Sequence, residues 1–172
     1  MRGHIILSHG SDSGPDATKV SALAALAESL GWSTVRPDYR EDDARGHAGS
    51  IDPRLARLSA AIAASPMPPV LVGSSMGAFV SGLASLDAPV AGLFLLALPA
   101  RIPGYPRAFA VRPDVPAFLV HGYEDDVCPL DEALGFARRH AIPALLVRDD
   151  HRLGSTLPDI EAEFRRFLGG LA

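Results

Sequence analysis

The sequence predicts an α/β domain: a three-layer α/β/α sandwich around a mostly parallel sheet of about six strands. Three observations carry this. Short apolar, β-branched runs bounded by Gly, Pro, Asp or Ser recur six times along the 172 residues. Several of these runs are continuously apolar rather than alternating, the pattern of strands covered on both faces. Helical periodicity fills most of the gaps between them.

The strands are expected at His4–Ser8, Ser33–Pro37, Pro69–Gly73, Gly92–Leu98, Ala117–His121 and Ala144–Arg148. Ile5–Ile6–Leu7, Val70–Leu71–Val72, Leu93–Phe94–Leu95–Leu96 and Leu145–Leu146–Val147 are the continuous apolar stretches. The first helix runs from Asp16 to Gly31. Val20, Leu23, Ala24, Ala27 and Leu30 fall near a 3.6 period there, and Gly31 supplies a natural stop. Leu55, Leu58, Ile62 and Ala63 give a second helix closed by Pro66, with the stretch around Arg40–Ile51 expected as a loop. A third runs from Met76 to Leu86 and stops before Pro89, and a fourth spans Leu130–His140. The last carries Ile160, Phe164, Phe167 and Leu168, with Thr156 as its N-cap. Crossovers should be right-handed. Pro99–Pro116, with Pro103, Pro106, Pro113 and Gly104 between, reads as a long loop holding at most one helical turn near Arg107–Val111. Loops of that length usually serve a site. Nothing divides the chain, so residues 1–172 read as a single domain.

Composition excludes several function classes. Net charge is −4, from 16 Lys+Arg against 20 Asp+Glu, and the basic residues are scattered, Lys19 being the sole lysine. No basic stripe is interleaved with aromatics, so no nucleic-acid partner is expected. No apolar run approaches the roughly 18 residues of a membrane span, and the run after His4 is too short for a signal peptide. Cys128 is the single cysteine, which removes a disulfide framework and any multi-cysteine metal site. A reducing, cytoplasmic location is the expectation. Neither a metal nor another cofactor is expected, since no paired-ligand spacing occurs.

The chemistry concentrates at three places. Gly73–Ser74–Ser75–Met76–Gly77 follows an apolar run and precedes a small-residue helix. This is a G-x-S-x-G nucleophile elbow in the strand–turn–helix context it requires. A nucleophile on so tight a turn needs residues without bulk two before and two after it. Ala78 and Gly82 should let the following helix sit close to the sheet. His121–Gly122–Tyr123–Glu124–Asp125 follows the fifth strand, and Asp149–Asp150–His151 follows the sixth. Serine, acid and histidine thus each fall at the C-terminal end of a strand, where open α/β sheets gather reacting groups. The two glycines frame Ser75 rather than Ser74. Glu124 and Asp126 remain rivals to Asp125. Asp149 and Asp150 read as turn or helix-end residues, and Cys128 as a small buried hydrophobe.

These segments resemble the serine hydrolases of the α/β-hydrolase superfamily, over nearly the whole chain. His121, Gly122, Asp125, Cys128 and Pro129 match a family pattern H-G-x-x-D-x-x-V/C-P, and Asp150–His151–Arg152–Leu153 is similar to the family's histidine segment. Ser8–His9–Gly10 is similar to its H-G oxyanion loop. The resemblance implies Ser75 as nucleophile, His151 as general base and acid, and Asp125 as the carboxylate orienting the imidazole. It implies backbone N–H groups of Met76 and Ser11 as the oxyanion hole, with Asp12 the alternative to Ser11 as second donor. It also implies a minimal member that begins at the family's third strand and holds only the 99–116 loop where a cap usually sits. Asp12, Ile102, Tyr105 and Phe109 are then candidates for substrate contact.

The expected reaction is hydrolysis of a small-molecule carboxylic ester or thioester with a small or accessible acyl group. An acyl-thioesterase or a dienelactone-hydrolase-like enzyme is the alternative within catalysis. Outside it stands an inactive hydrolase-fold interaction protein. The outer sheet edges could support a homodimer.

Overall fold

The structure is a computed structural model and describes residues 2–171. Strands β1 (His4–Ser8), β2 (Ser33–Val35), β3 (Val70–Ser74), β4 (Gly92–Leu96), β5 (Ala117–Gly122) and β6 (Ala144–Val147) form one sheet. Their order is β2-β1-β3-β4-β5-β6, and every pairing is parallel. The helices are α1 (Thr18–Ser29), α2 (Arg40–Asp43), α3 (Gly46–Ala63), α4 (Met76–Asp87), α5 (Leu130–Arg139) and α6 (Leu157–Gly170).

The continuously apolar strands are explained by two cores. Successive side chains of a strand point to opposite faces. Ile5, Leu7, Val70, Val72, Phe94 and Leu96 face α1 and α6, packing on Val20, Leu23, Ile160 and Phe164. Ile6, Leu71, Leu93 and Leu95 face α3, α4 and α5, packing on Leu58, Phe79 and Phe136. The chain leaves β1 toward one edge through β2 and then returns to build β3 to β6 on the other side. The switch point therefore lies between β1 and β3. The loops after those two strands flank a crevice there, the usual ligand position of such sheets.

Two expectations need correction. The stretch around Arg40–Ile51 is not a loop: it forms α2 and the first turns of α3, which also runs through Pro53. Gly46, Gly49 and Pro53 signal a break locally, but ion pairs from α2 hold the segment helical. Asp42 accepts from Arg57 Nε at 2.8 Å, and Asp43 accepts from Arg54 Nε at 2.7 Å. The second correction concerns the proline-rich segment: it is the expected long loop, without a helical turn at Arg107–Val111, but it does not line the cleft. It is the crossover from β4 to β5. Ile102, Phe109 and Val111 bury themselves in the core that α4 and α5 share, where a crossover helix would otherwise lie.

That packing also reassigns Gly82. A Cβ there would stand 2.1 Å from the Phe109 ring, so this glycine makes room for the loop rather than for the sheet. Gly31 does act as the stop of α1: it takes φ +86°, and the Trp32 N–H reaches back to Ala27 O.

Candidate active site

Ser75 stands between β3 and α4 with φ 53° and ψ −116°, a conformation that costs a non-glycine residue about 1–3 kcal/mol. The surroundings hold it there. Its N–H donates to Leu96 O at 2.9 Å, and its carbonyl accepts from Ala78 and Phe79 as α4 begins. The flanking glycines are required by contact. A Cβ on Gly73 would lie 2.3 Å from Gly77 O, and one on Gly77 would lie 2.0 Å from Ser8 O.

The structure brings Ser75, His151 and Asp125 together from three separate strand ends. Ser75 Oγ lies 3.1 Å from His151 Nε2. His151 Nδ1 lies 2.8 Å from Asp125 Oδ2 and 3.0 Å from Oδ1. Asp125 Oδ1 also accepts the Cys128 and Val127 N–H groups at 2.7 and 2.9 Å. Burial opposes ionisation of Asp125, but His151 and those two amides outweigh it and hold its carboxyl below the usual range. His121, fully buried beneath, bonds Cys128 O through Nε2 at 2.9 Å and so fixes the acid loop.

The rivals lie elsewhere. Ser74 is buried at the end of β3. Glu124 sits outside beside Arg148, and Asp126 is on the exposed rim of the cleft. Cys128 is buried close to Ser75, and burial together with the Asp125 charge pushes its thiol up to about 12. Asp125, Cys128 and His151 place ligand-type atoms within 4.8 Å of one another. A protonated thiol is a poor metal donor, and the carboxylate is already engaged by His151, so this set fits a proton relay better than a cation site.

Asp149 ties the His151 loop to α6. Its Oδ2 accepts the Thr156 N–H and hydroxyl, each at 2.9 Å, and its Oδ1 accepts the Asp150 N–H. Those bonds outweigh burial and keep the Asp149 carboxyl below its ordinary value. A depressed carboxyl stabilises the fold above its unfolded value of about 3.9 and loses that contribution as pH falls through the lower folded value. Urea midpoints should therefore hold steady from pH 7 to about 5 and fall below about 4. Asp149→Asn should remove part of that fall while lowering the neutral-pH midpoint, and an unchanged acid limb in the variant would contradict this assignment.

Ser75 and His151 border an open cleft of about 740 Å³. Its walls mix polar and apolar surface: Ser11, Asp12, Ser13, Lys19, Asp126 and Arg152 contribute beside Ala17, Val20 and Val127. Lys19 Nζ donates to His151 O at 3.2 Å, and burial lowers its pKa to about 8 against the pull of nearby Asp125.

Of the predicted contact residues, Asp12 lines this cleft, beside Ser11, whereas Ile102, Tyr105 and Phe109 do not. Ile102 and Phe109 are buried in the core, the latter 4.6 Å from the Phe136 ring centroid. The Tyr105 hydroxyl bonds Asp52 at 2.8 Å. The apolar side chains of Ile102 and Phe109 are more stable in that core than over an open, hydrated cleft.

Sequence reasoning missed Arg54 and Tyr39, both wholly buried behind the loop that follows β1. One signal was present. Arg54 falls on the same stripe of α3 as Ile51, Leu58 and Ile62, where a charge has no place unless it is partnered.

Similar proteins fit this geometry. A crystal structure from Xanthomonas campestris pv. campestris, ascribed to the alpha/beta hydrolase superfamily, is 39% identical. It covers 98% of this chain and 99% of its own, with a TM-score of 0.93. The chain belongs to the α/β-hydrolase superfamily.

More distant members share the fold. An alpha-beta serine hydrolase homologue from Coxiella burnetii is 22% identical over 96% of this chain and 85% of its own, with a TM-score of 0.75. A serine hydrolase without lid from X. campestris is 17% identical over 95% and 80%, with a TM-score of 0.70. No family model matches the chain, and no curated protein does. In this chain Ser75 follows β3, Asp125 follows β5 and His151 follows β6. No helix among the described residues is long and apolar enough to cross a membrane.

Proposed function

We propose that the chain is a serine hydrolase that cleaves a carboxylic ester or thioester with a small or accessible acyl group, through an acyl-enzyme on Ser75. The observation that carries this reading is the unbroken line Ser75 Oγ–His151–Asp125, with gaps of 3.1 and 2.8 Å, opening on the cleft.

The steps follow from the chemistry of each group. His151 Nε2 takes the hydroxyl proton as Ser75 Oγ attacks the carbonyl carbon. Asp125 keeps the other proton on Nδ1 and stabilises the imidazolium that forms. The tetrahedral oxygen carries negative charge beside the Met76 N–H. As the first amide of α4, that N–H has no acceptor within the helix, and the positive end of the helix dipole adds to it. Ser11, in the loop after β1, is the second donor of the proposal. His151 then returns the proton to the leaving oxygen or sulfur, and a water activated the same way releases the acid. Protein groups and water complete every step.

The open cleft supports small or accessible acyl groups, because much of a long alkyl chain would stay in water there rather than be buried. The single domain with no cap, the 99–116 loop being spent on the core, belongs to the same reading.

The direct test is intact mass after exposure to a fluorophosphonate. One adduct is expected on the wild type and none on Ser75→Ala. A well-folded wild type that takes no adduct would sink the proposal and bring forward the inactive interaction protein.

A further inference from the structure

We infer that Arg54 is a positioning residue for the oxyanion hole: its buried guanidinium holds the loop after β1 so that the Ser11 N–H, not that of Asp12, faces the reacting oxygen. This rests on the serine-hydrolase reading and adds to it a residue that lies outside the cleft.

Arg54 projects from the middle of α3 and is fully buried. Its guanidinium makes four hydrogen bonds. Nε and Nη2 engage the two oxygens of Asp43 at 2.7 Å each, which fixes the plane of the fork. Nη1 donates to His9 O at 2.8 Å, and Nη2 donates to Gly10 O at 3.1 Å. The Tyr39 ring lies against the cation, 4.6 Å from its carbon to the centroid.

The consequence for Ser11 comes from peptide geometry. No cis peptide occurs among the described residues, and in a trans peptide the C=O and the following N–H are coplanar and point in opposite directions. Drawing Gly10 O toward α3 therefore turns the Ser11 N–H away from α3. Gly10 itself abuts the nucleophile: a Cβ built on it would lie 3.5 Å from Ser75 Cβ. The next residue, Asp12, takes φ 57°, so the chain turns away directly after Ser11.

Gly10 O accepts from two further groups. Tyr39 N–H donates to His9 Nε2 at 3.0 Å, which leaves the imidazole proton on Nδ1 to donate to Gly10 O at 2.7 Å. Burial lowers the His9 pKa and keeps that ring neutral. The Ser13 hydroxyl donates at 3.0 Å. Three donors, one of them cationic, polarise a single amide and make its N–H a stronger donor. A buried ion pair is weak evidence for stability on its own. Here it fixes a geometry, and Asp43 neutralises the charge that would otherwise be stranded.

The test compares wild type, Arg54→Lys and Asp43→Asn, with kcat and KM for 4-nitrophenyl acetate read across pH. Lysine keeps the charge but cannot hold both carbonyls and Asp43 at once. The expected result for Arg54→Lys is a kcat lower by about 10–100-fold, in line with a displaced oxyanion donor. KM should change far less than kcat, and the midpoint of the acid limb should stay as in the wild type, because Arg54 makes no contact with His151. Wild-type kcat in folded Arg54→Lys, or a loss that appears as a moved pH midpoint or a raised KM, would overturn the inference. If Arg54→Lys does not fold, Asp43→Asn decides, since it weakens the fork that orients the guanidinium: a several-fold drop in kcat with a smaller change in KM supports the inference, and wild-type kcat overturns it. A wild type that neither turns over the ester nor takes a fluorophosphonate adduct would instead bring down the underlying hydrolase reading.

Discussion

Replacing His151 by alanine is expected to lower kcat for an accessible ester on the order of 10⁴–10⁶-fold, while the protein stays folded. The triad acts as a unit, so losing its base costs nearly as much as losing all of it. Without Nε2, 3.1 Å from Ser75 Oγ, the hydroxyl proton loses the base that takes it during attack. Lys19 cannot substitute, because its Nζ is engaged with the His151 carbonyl and carries protons rather than a free pair near neutral pH. The residue sits in a loop at the cleft, so truncation removes little core contact. The variant has one further signature. Asp125, whose side chain is fully buried, keeps the Cys128 and Val127 amides but loses its imidazole partner. Its carboxyl should then titrate higher than in the wild type, and the variant should unfold at a less acidic pH. Initial rates, fluorophosphonate labelling and an acid titration followed by circular dichroism check both parts. More than about 1% of wild-type kcat in His151→Ala would remove it from the role of base.

Much of the site was legible because its determinants are local. Gly73 and Gly77 are forced by steric contact within five residues of chain and its neighbour strand, and glycine leaves a visible mark in a sequence. The six strands were legible for a related reason: burial on both faces writes continuous apolar runs such as Ile5–Ile6–Leu7, split between two cores. What escaped is tertiary. Gly46, Gly49 and Pro53 are helix breakers by propensity, and only the pairs Asp42–Arg57 and Asp43–Arg54 show why the chain is helical there. The proline-rich segment carries the composition of a site loop, yet Phe109 fills the space over Gly82 and makes it a crossover. Arg54 shows the limit most clearly. A charge on an apolar stripe can be seen in sequence, but its partners, the carbonyls of His9 and Gly10, are more than 40 positions away.

Gly77→Ala should be the most damaging single-methyl change in the protein. The added carbon would lie 2.0 Å from Ser8 O and 2.9 Å from His9 O, well inside van der Waals contact. Both atoms are backbone, so no rotamer change relieves the clash. Either α4 must lift from β1, or the loop after β1 must move. The first route opens the core in which Met76, Ala78, Phe79 and Val80 are buried. The second displaces His9 and Gly10 from Arg54 and takes the Ser11 amide with them. The expected destabilisation is about 3 kcal/mol or more, above the usual range for one extra methyl in a core, because that range assumes side chains that can yield. Gly82→Ala makes the informative comparison. Its Cβ would meet the Phe109 ring at 2.1 Å and Ala110 O at 2.8 Å, both on a loop that does not line the cleft. Gly82→Ala should therefore lose stability but keep its activity per folded molecule, whereas Gly77→Ala should lose both. Urea unfolding alongside active-site titration with a fluorophosphonate separates the two. A Gly77→Ala protein as stable and as reactive as the wild type would contradict the packing of α4 against β1.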